Sequence, residues 1–264
     1  LREQIARAPK AWVFTSATLG DDERLSWFTE PAGLDDAQTL RAGSPFDYAA
    51  HARLYIPAGF PKPNEASHPD AVATLAARCA RELGGRTFVL TTTLRALRTI
   101  GERLRELLDD NADTEGDPIQ VLIQGSAPKR QLLQQFLDQP ASVLVGSQSF
   151  WEGIDVPGDA LQCVLIDKLP FPPPNDPLVE ARVRRLEAEG RNAFADYFVA
   201  EAAVSLKQGA GRLIRSETDR GLLVVCDPRM ASMNYGRRLR QALPPMTRLA
   251  QEAEALAWLQ TLRS

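Results

Sequence analysis

Residues 87–108 read TFVLTTTLRALRTIGERLRELL, and two hydrophobic patterns meet inside them. The first, TFVLTT at 87–92, is a short continuous apolar run ending in hydroxyls, which suits a strand buried on both faces. The second, LRALRTIGERLRELL at 94–108, spaces Leu94, Leu97, Ile100, Leu104 and Leu107 three or four residues apart. That spacing gathers them on one side of a helix. A doubly buried strand running into an amphipathic helix is half of a β-α-β unit, and the alternation recurs on both sides. Strands are expected at WVFTS (12–16), RLYIP (53–57), IQVLIQG (119–125), SVLVGS (142–147), LQCVLIDKL (161–169) and GLLVVCD (221–227). Helices are expected around 25–28, over 70–83, from Pro128 to about 138, and across 177–215. Together they predict an α/β fold, a doubly wound and mostly parallel sheet with helices on both faces. In such sheets the working residues sit beyond the carboxyl ends of the strands. TTTLRAL (91–97), GSQSFWEGIDVPG (146–158) and TSATLG (15–20) are in that position.

The chain has 264 residues, 44% apolar and 25% charged, with a net charge of −3. These values describe a soluble globular protein, and the charge gives no vote for or against nucleic acid. No apolar run approaches a membrane span, and no leader pattern opens the chain, so a cytoplasmic protein is expected. The first residue is Leu1, which points to a piece of a longer protein. Cys79, Cys163 and Cys226 are far apart in sequence and form no C-x-x-C pair, so all three are expected as small core residues. His51 and His68 lie in loop-like stretches without a partner at ligand spacing, and no metal site is expected.

The stretch SLKQGAGRLIRSETDRG (205–221) sets an amide and two guanidiniums among glycines in what reads as a helix. Glycine costs a helix interior about 1 kcal/mol relative to alanine. On a helical wheel Gln208, Arg212 and Arg215 share one face, flanked by Gly211. Val199, Ala203, Leu206, Ala210, Leu213 and Ile214 occupy the other. The polar face reads either as an ordinary solvated surface or as a clamp for phosphate oxygens, to which each guanidinium donates as a fork. The chain has no G-x-x-x-x-G-K-[ST] and no acidic box after an apolar strand, so it carries the arginines without the phosphate pocket.

These segments resemble the motifs of superfamily 2 helicases of the DinG/XPD type. QGAGRLIR (208–215) resembles motif VI, SVLVGSQSFWEGIDVPG (142–158) motif V and WVFTSATLG (12–20) motif III. TFVLTTTLRAL (87–97) is a weaker match to motif IV. GSPFDY, DKLPFPPPNDPL and NYGRRLRQALPP are similar to the bacterial YoaA-like branch. The resemblance covers essentially the whole chain and implies two RecA-like domains with ATP between them. Residues 1–44 would be the end of the first domain and 45–264 the second. The P-loop, the acidic box, the Mg²⁺ ligands and an iron–sulfur cluster would belong to the missing part.

The resemblance also assigns roles. Arg212 and Arg215 would reach the ATP phosphates, with Gln208 on the phosphate or its water. Glu152, Gly153, Asp155 and Gly211 would line the nucleotide, and Thr15, Ser16 and Thr18 would couple the ATP state to the grip on DNA. Thr91, Thr92, Ser147 and Gln148 would hold the backbone of single-stranded DNA. Phe150 and Trp151 would offer a stacking surface. For Trp151 a core position competes with that role, and for Glu152 and Asp155 a loop-stabilising one does. The implied protein is a monomeric ATP-dependent 5′–3′ DNA helicase of repair or replication, and the chain alone would not hydrolyse ATP. The alternative is a non-catalytic RecA-like module that binds nucleic acid or a partner.

Overall fold

The computed structural model describes residues 2–7, 10–16, 18–20, 22–34, 36–109, 118–147, 150, 156 and 158–263. Seven described strands form one sheet: β1 (Ala52–Tyr55), β2 (Thr87–Thr91), β3 (Gln120–Ile123), β4 (Ser142–Ser147), β5 (Cys163–Ile166), β6 (Gly221–Val225) and β7 (Thr247–Leu249). Their order is β3-β4-β2-β5-β6-β1-β7. Every pairing is parallel, as in Phe88 beside Leu144 on one flank and Val164 on the other.

Both faces of the sheet are covered because strand side chains alternate between them. Phe88, Leu90, Leu144, Val164, Ile166, Leu223 and Val225 pack to one side. They meet Leu132 and Phe136 of α6 (Lys129–Asp138), Leu206 of α8 (Val199–Ala210) and Leu239 of α10 (Asn234–Ala242). Val89, Val143, Val145, Leu165, Leu222 and Val224 pack to the other. There they meet α4 (His68–Leu83), α5 (Leu94–Asp109) and α11 (Glu252–Gln260). The remaining helices are α1 (Arg2–Ala6), α2 (Ser26–Ala32), α3 (Tyr48–His51), α7 (Pro177–Ala188) and α9 (Arg229–Ser232), and a π-helical segment, Phe194–Phe198, leads into α8. The three cysteines are buried in the second core, and burial lifts the Cys163 and Cys226 thiols far above their ordinary range, which keeps them inert.

Three expectations are corrected. Residues 12–16 are not a strand: they run outside the sheet, and a strand needs a neighbour to take its hydrogen bonds. Trp12 and Phe14, on one side of this extended stretch, stack on each other instead at 6.2 Å. The helix expected to reach 215 ends at Ala210, with Gly211 as its cap. The pattern does not close with the strand after 220, because β7 adds an edge strand beside β1.

Candidate motor site at the strand ends and the arginine turn

The early end of α8 changes how the arginines are held. The Arg215 N–H bonds the Asp219 carboxylate at 2.7 Å in place of a helical carbonyl, and the Ser216 N–H bonds the same oxygen at 2.8 Å. The Ser216 hydroxyl donates to the other Asp219 oxygen. Asp219 is buried, so this one side chain fixes the turn at Arg215 and Ser216, while the Arg212 N–H bonds the Gly209 carbonyl at 3.2 Å. Its seat is Gly158: a Cβ there would come within 2.0 Å of the carboxylate. Leu213 and Ile214 turn into the core, so the apolar half of the expected wheel holds although the helix has ended. Burial lowers the Arg215 pKa and the nearby Asp219 opposes that shift. An arginine remains charged at neutral pH all the same.

Gln208 lies in the last turn of α8, and its amide donates to the Thr18 hydroxyl at 3.4 Å. The Thr18 N–H in turn bonds the Ser16 hydroxyl at 3.2 Å. Thr15 and Ser16 line a groove of about 880 Å³ together with Lys10, Arg41 and Lys207. Burial and the Arg41 charge lower the Lys207 pKa. A smaller cavity of about 290 Å³, between α2 and α7, is laced by ion pairs such as Glu30–Arg191 at 2.8 Å and lies outside this arrangement.

Among the described residues the other candidates lie at the carboxyl ends of β2 and β4. Thr92 donates its N–H to Asp167 at 3.1 Å, and Ser147 donates its N–H and hydroxyl to Gln124 at 2.7 and 3.0 Å. Two expected DNA contacts lie buried in this structure. Thr91 is fully buried and its hydroxyl donates to the Gly146 carbonyl, tying β2 to β4. Phe150 is 3% exposed and sits against Gly146, so it has no face to offer a base. Gln148, Trp151, Glu152, Gly153 and Asp155 lie outside the described residues.

Sequence reasoning missed the carboxylates that organise this rim. Asp167 follows β5 directly, and burial pushes its carboxyl up to about 7 against the opposing pull of Lys168 and the Thr92 and Lys168 N–H groups. Asp227 follows β6, accepts the Leu169 N–H at 2.9 Å and holds the Arg229 guanidinium at 2.6 and 2.9 Å. The signal was in the sequence: DK and CDPR put an acid just past a buried parallel strand, where its burial demands donors. Among the described residues no group of three or more His, Cys, Asp or Glu could hold a metal ion. Asp219 is likewise taken up by its own turn, so the described residues do not fit a Mg²⁺ site.

The pattern that defines the helicase C-terminal domain matches residues 76–246, more than half of the chain. The chain belongs to that family. It is similar to the ATP-dependent DNA helicase YoaA of Escherichia coli K12, 38% identical over 258 residues, a match covering 98% of this chain and 39% of that protein. It is also similar to the ATP-dependent helicase DinG of Mycobacterium tuberculosis H37Rv, 40% identical over 255 residues, covering 95% of this chain and 37% of DinG. This helicase C-terminal domain thus spans less than two fifths of the length of either relative. The fold is that of the Xpd4 structure from S. tokodaii, with a TM-score of 0.50 at 16% identity over 76% of this chain and 39% of that one. Among the described residues no helix is long and apolar enough to cross a membrane.

Proposed function

We propose that the chain is the second motor domain of a DinG/XPD-type DNA helicase, with residues 1–44 the closing segment of the first motor domain. One observation carries this reading: the Gln208–Thr18 hydrogen bond joins the Thr-Ser-Ala-Thr segment to the last turn of α8, just before Arg212 and Arg215. A surface helix with two solvated arginines has no reason to be tied to that segment.

ATP is the substrate of the reaction, and its hydrolysis drives movement 5′ to 3′ along single-stranded DNA in cytoplasmic repair or replication. In phosphoryl transfer the protein contributes positioning and charge, and an arginine from outside the nucleotide pocket is worth about 10³–10⁵ in rate. Arg212 and Arg215 donate N–H groups to the phosphate oxygens when the two domains close. Gly211, exposed at the end of α8, leaves room for that approach. The Gln208 amide trades its bond to Thr18 for one to the phosphate or its water, so Thr15, Ser16 and Thr18 report the state of the nucleotide. Glu152, Gly153 and Asp155 complete the nucleotide site. Mg²⁺ arrives with the nucleotide and takes its ligands from elsewhere, as does any iron–sulfur cluster. Thr92, Ser147, Gln148 and Trp151 face single-stranded DNA. The chain alone, lacking a P-loop sequence, does not turn over ATP.

The test is single-stranded-DNA-stimulated ATPase of the full-length protein, wild type against Arg215→Ala. A loss of about 10³-fold, or about 4 kcal/mol at 1.36 per decade, with DNA affinity retained, is expected. Turnover near wild type in the variant returns the turn to an ordinary surface. No ATPase in the wild type favours a binding module.

A further inference from the structure

Past the strand ends, four aromatic rings meet at the surface. Phe171 and Phe194 have centroids 5.6 Å apart, and Tyr235 stands edge-on to both, at 5.7 and 5.3 Å. Phe198 stacks on Phe194 at 6.2 Å. Although three rings contact it, Phe194 remains 45% exposed.

The patch is held in place from several directions. Phe171 stands in LPFPPP (169–174), where prolines fix the backbone dihedrals of the loop. Phe194 and Phe198 bracket the π-helical segment, a rare geometry that concentrates at functional sites. Arg238 buttresses that segment by donating to the Ala195 carbonyl at 2.6 Å. Arg229 lies over the Phe171 ring at 5.7 Å, aimed there by Asp227.

We propose that Phe171, Phe194 and Tyr235 form a stacking platform for bases of single-stranded DNA. Continuity with the strand-end rim and the Arg229 guanidinium over Phe171 support this. From Thr92 the chain of contacts runs through Asp167 to Lys168, from Leu169 to Asp227, and from Asp227 to Arg229 over Phe171. The patch is therefore built onto the same rim that the proposed function gives to the DNA backbone. One cation, Arg229, lies against the rings with its guanidinium paired to Asp227, and it borders the face to which bases would turn. Aromatic faces take any base, which fits a motor that must move along every sequence. The inference rests on the DNA-binding part of the proposed function.

The experiment is fluorescence anisotropy with labelled oligo-dT and an abasic strand of equal length, which keeps the phosphates and lacks the bases. Wild type, Phe194→Ala and Phe194→Trp of the full-length protein are compared. Phe194→Ala is expected to weaken oligo-dT binding by about tenfold or more while leaving the abasic strand unchanged. Phe194→Trp restores affinity, and its emission is quenched by oligo-dT alone. If Phe194→Ala leaves oligo-dT affinity intact, or lowers both strands equally, the platform is overturned, and in the first case the patch is left as a protein contact. Wild type that binds neither strand overturns the DNA reading along with it. Equal wild-type affinity for both strands overturns the platform alone.

Discussion

Asp219 shows how much of the arginine turn rests on a single buried carboxylate. Its two oxygens take three donors, the Arg215 N–H, the Ser216 N–H and the Ser216 hydroxyl. Removing it in Asp219→Ala leaves those groups without their acceptor in a buried turn, a cost of about 1–3 kcal/mol. Urea unfolding should register that loss. Gly158→Ala should act from the other side, since the new Cβ would press on a carboxylate with nowhere to go. Such overpacking costs about 1–3 kcal/mol. The two losses act on one contact, so the double variant should fall well short of their sum. Full additivity would separate Gly158 from Asp219 and remove the link between the two motifs. Sequence pattern could find the arginines by residue type, but not Asp219, whose importance comes from the point where the helix stops.

At the scale of elements, the sequence was most legible where burial was complete. The buried strands β2, β4, β5 and β6 and the helices α4 and α5 fall within a few residues of expectation because their patterns answer directly to the two cores. β7 was missed for the converse reason: it is three residues long, largely exposed and at the sheet edge, so no apolar run marks it. WVFTS had the residues of a strand and no partner. The strand ends also carry a titration that pattern cannot reveal. Asp167 has its carboxyl raised by burial from 3.8 to about 7. The folded protein therefore holds a proton that the unfolded chain has released between about pH 4 and 7, so this group's contribution falls as pH rises through that window. Three units correspond to about 4 kcal/mol at most. His68, buried on the same rim with its pKa lowered, acts in the opposite sense and weakens the fold as pH falls. Asp167→Asn keeps an acceptor for the Thr92 and Lys168 N–H groups and removes the titration. Its unfolding free energy, relative to wild type, should rise between about pH 5 and 7; a constant difference would place the Asp167 pKa near its ordinary value.

Across the whole molecule, two of the contacts between the N-terminal segment and the domain are weak, and they differ in position. The Glu30–Arg191 pair is exposed on both sides and belongs to a class worth about 0–1 kcal/mol. The Gln208–Thr18 bond is a single neutral hydrogen bond at 3.4 Å, and its contribution to stability is no larger. Its significance is its position, since it spans 190 residues of sequence to join the segment before α2 to the last turn of α8. In the proposed motor cycle a weak bond suits a part that must let go, because a strong one would hold a single state. If Gln208 exchanges Thr18 for the nucleotide, the two residues work as one unit. Thr18→Val and Gln208→Ala should then each lower DNA-stimulated ATP turnover in the full-length protein, and the double variant should be no slower than the worse single one. DNA affinity without nucleotide should stay at the wild-type level in all three. Turnover losses that multiply would mean that the two side chains act independently, and the contact would be a neighbour relation without a part in coupling.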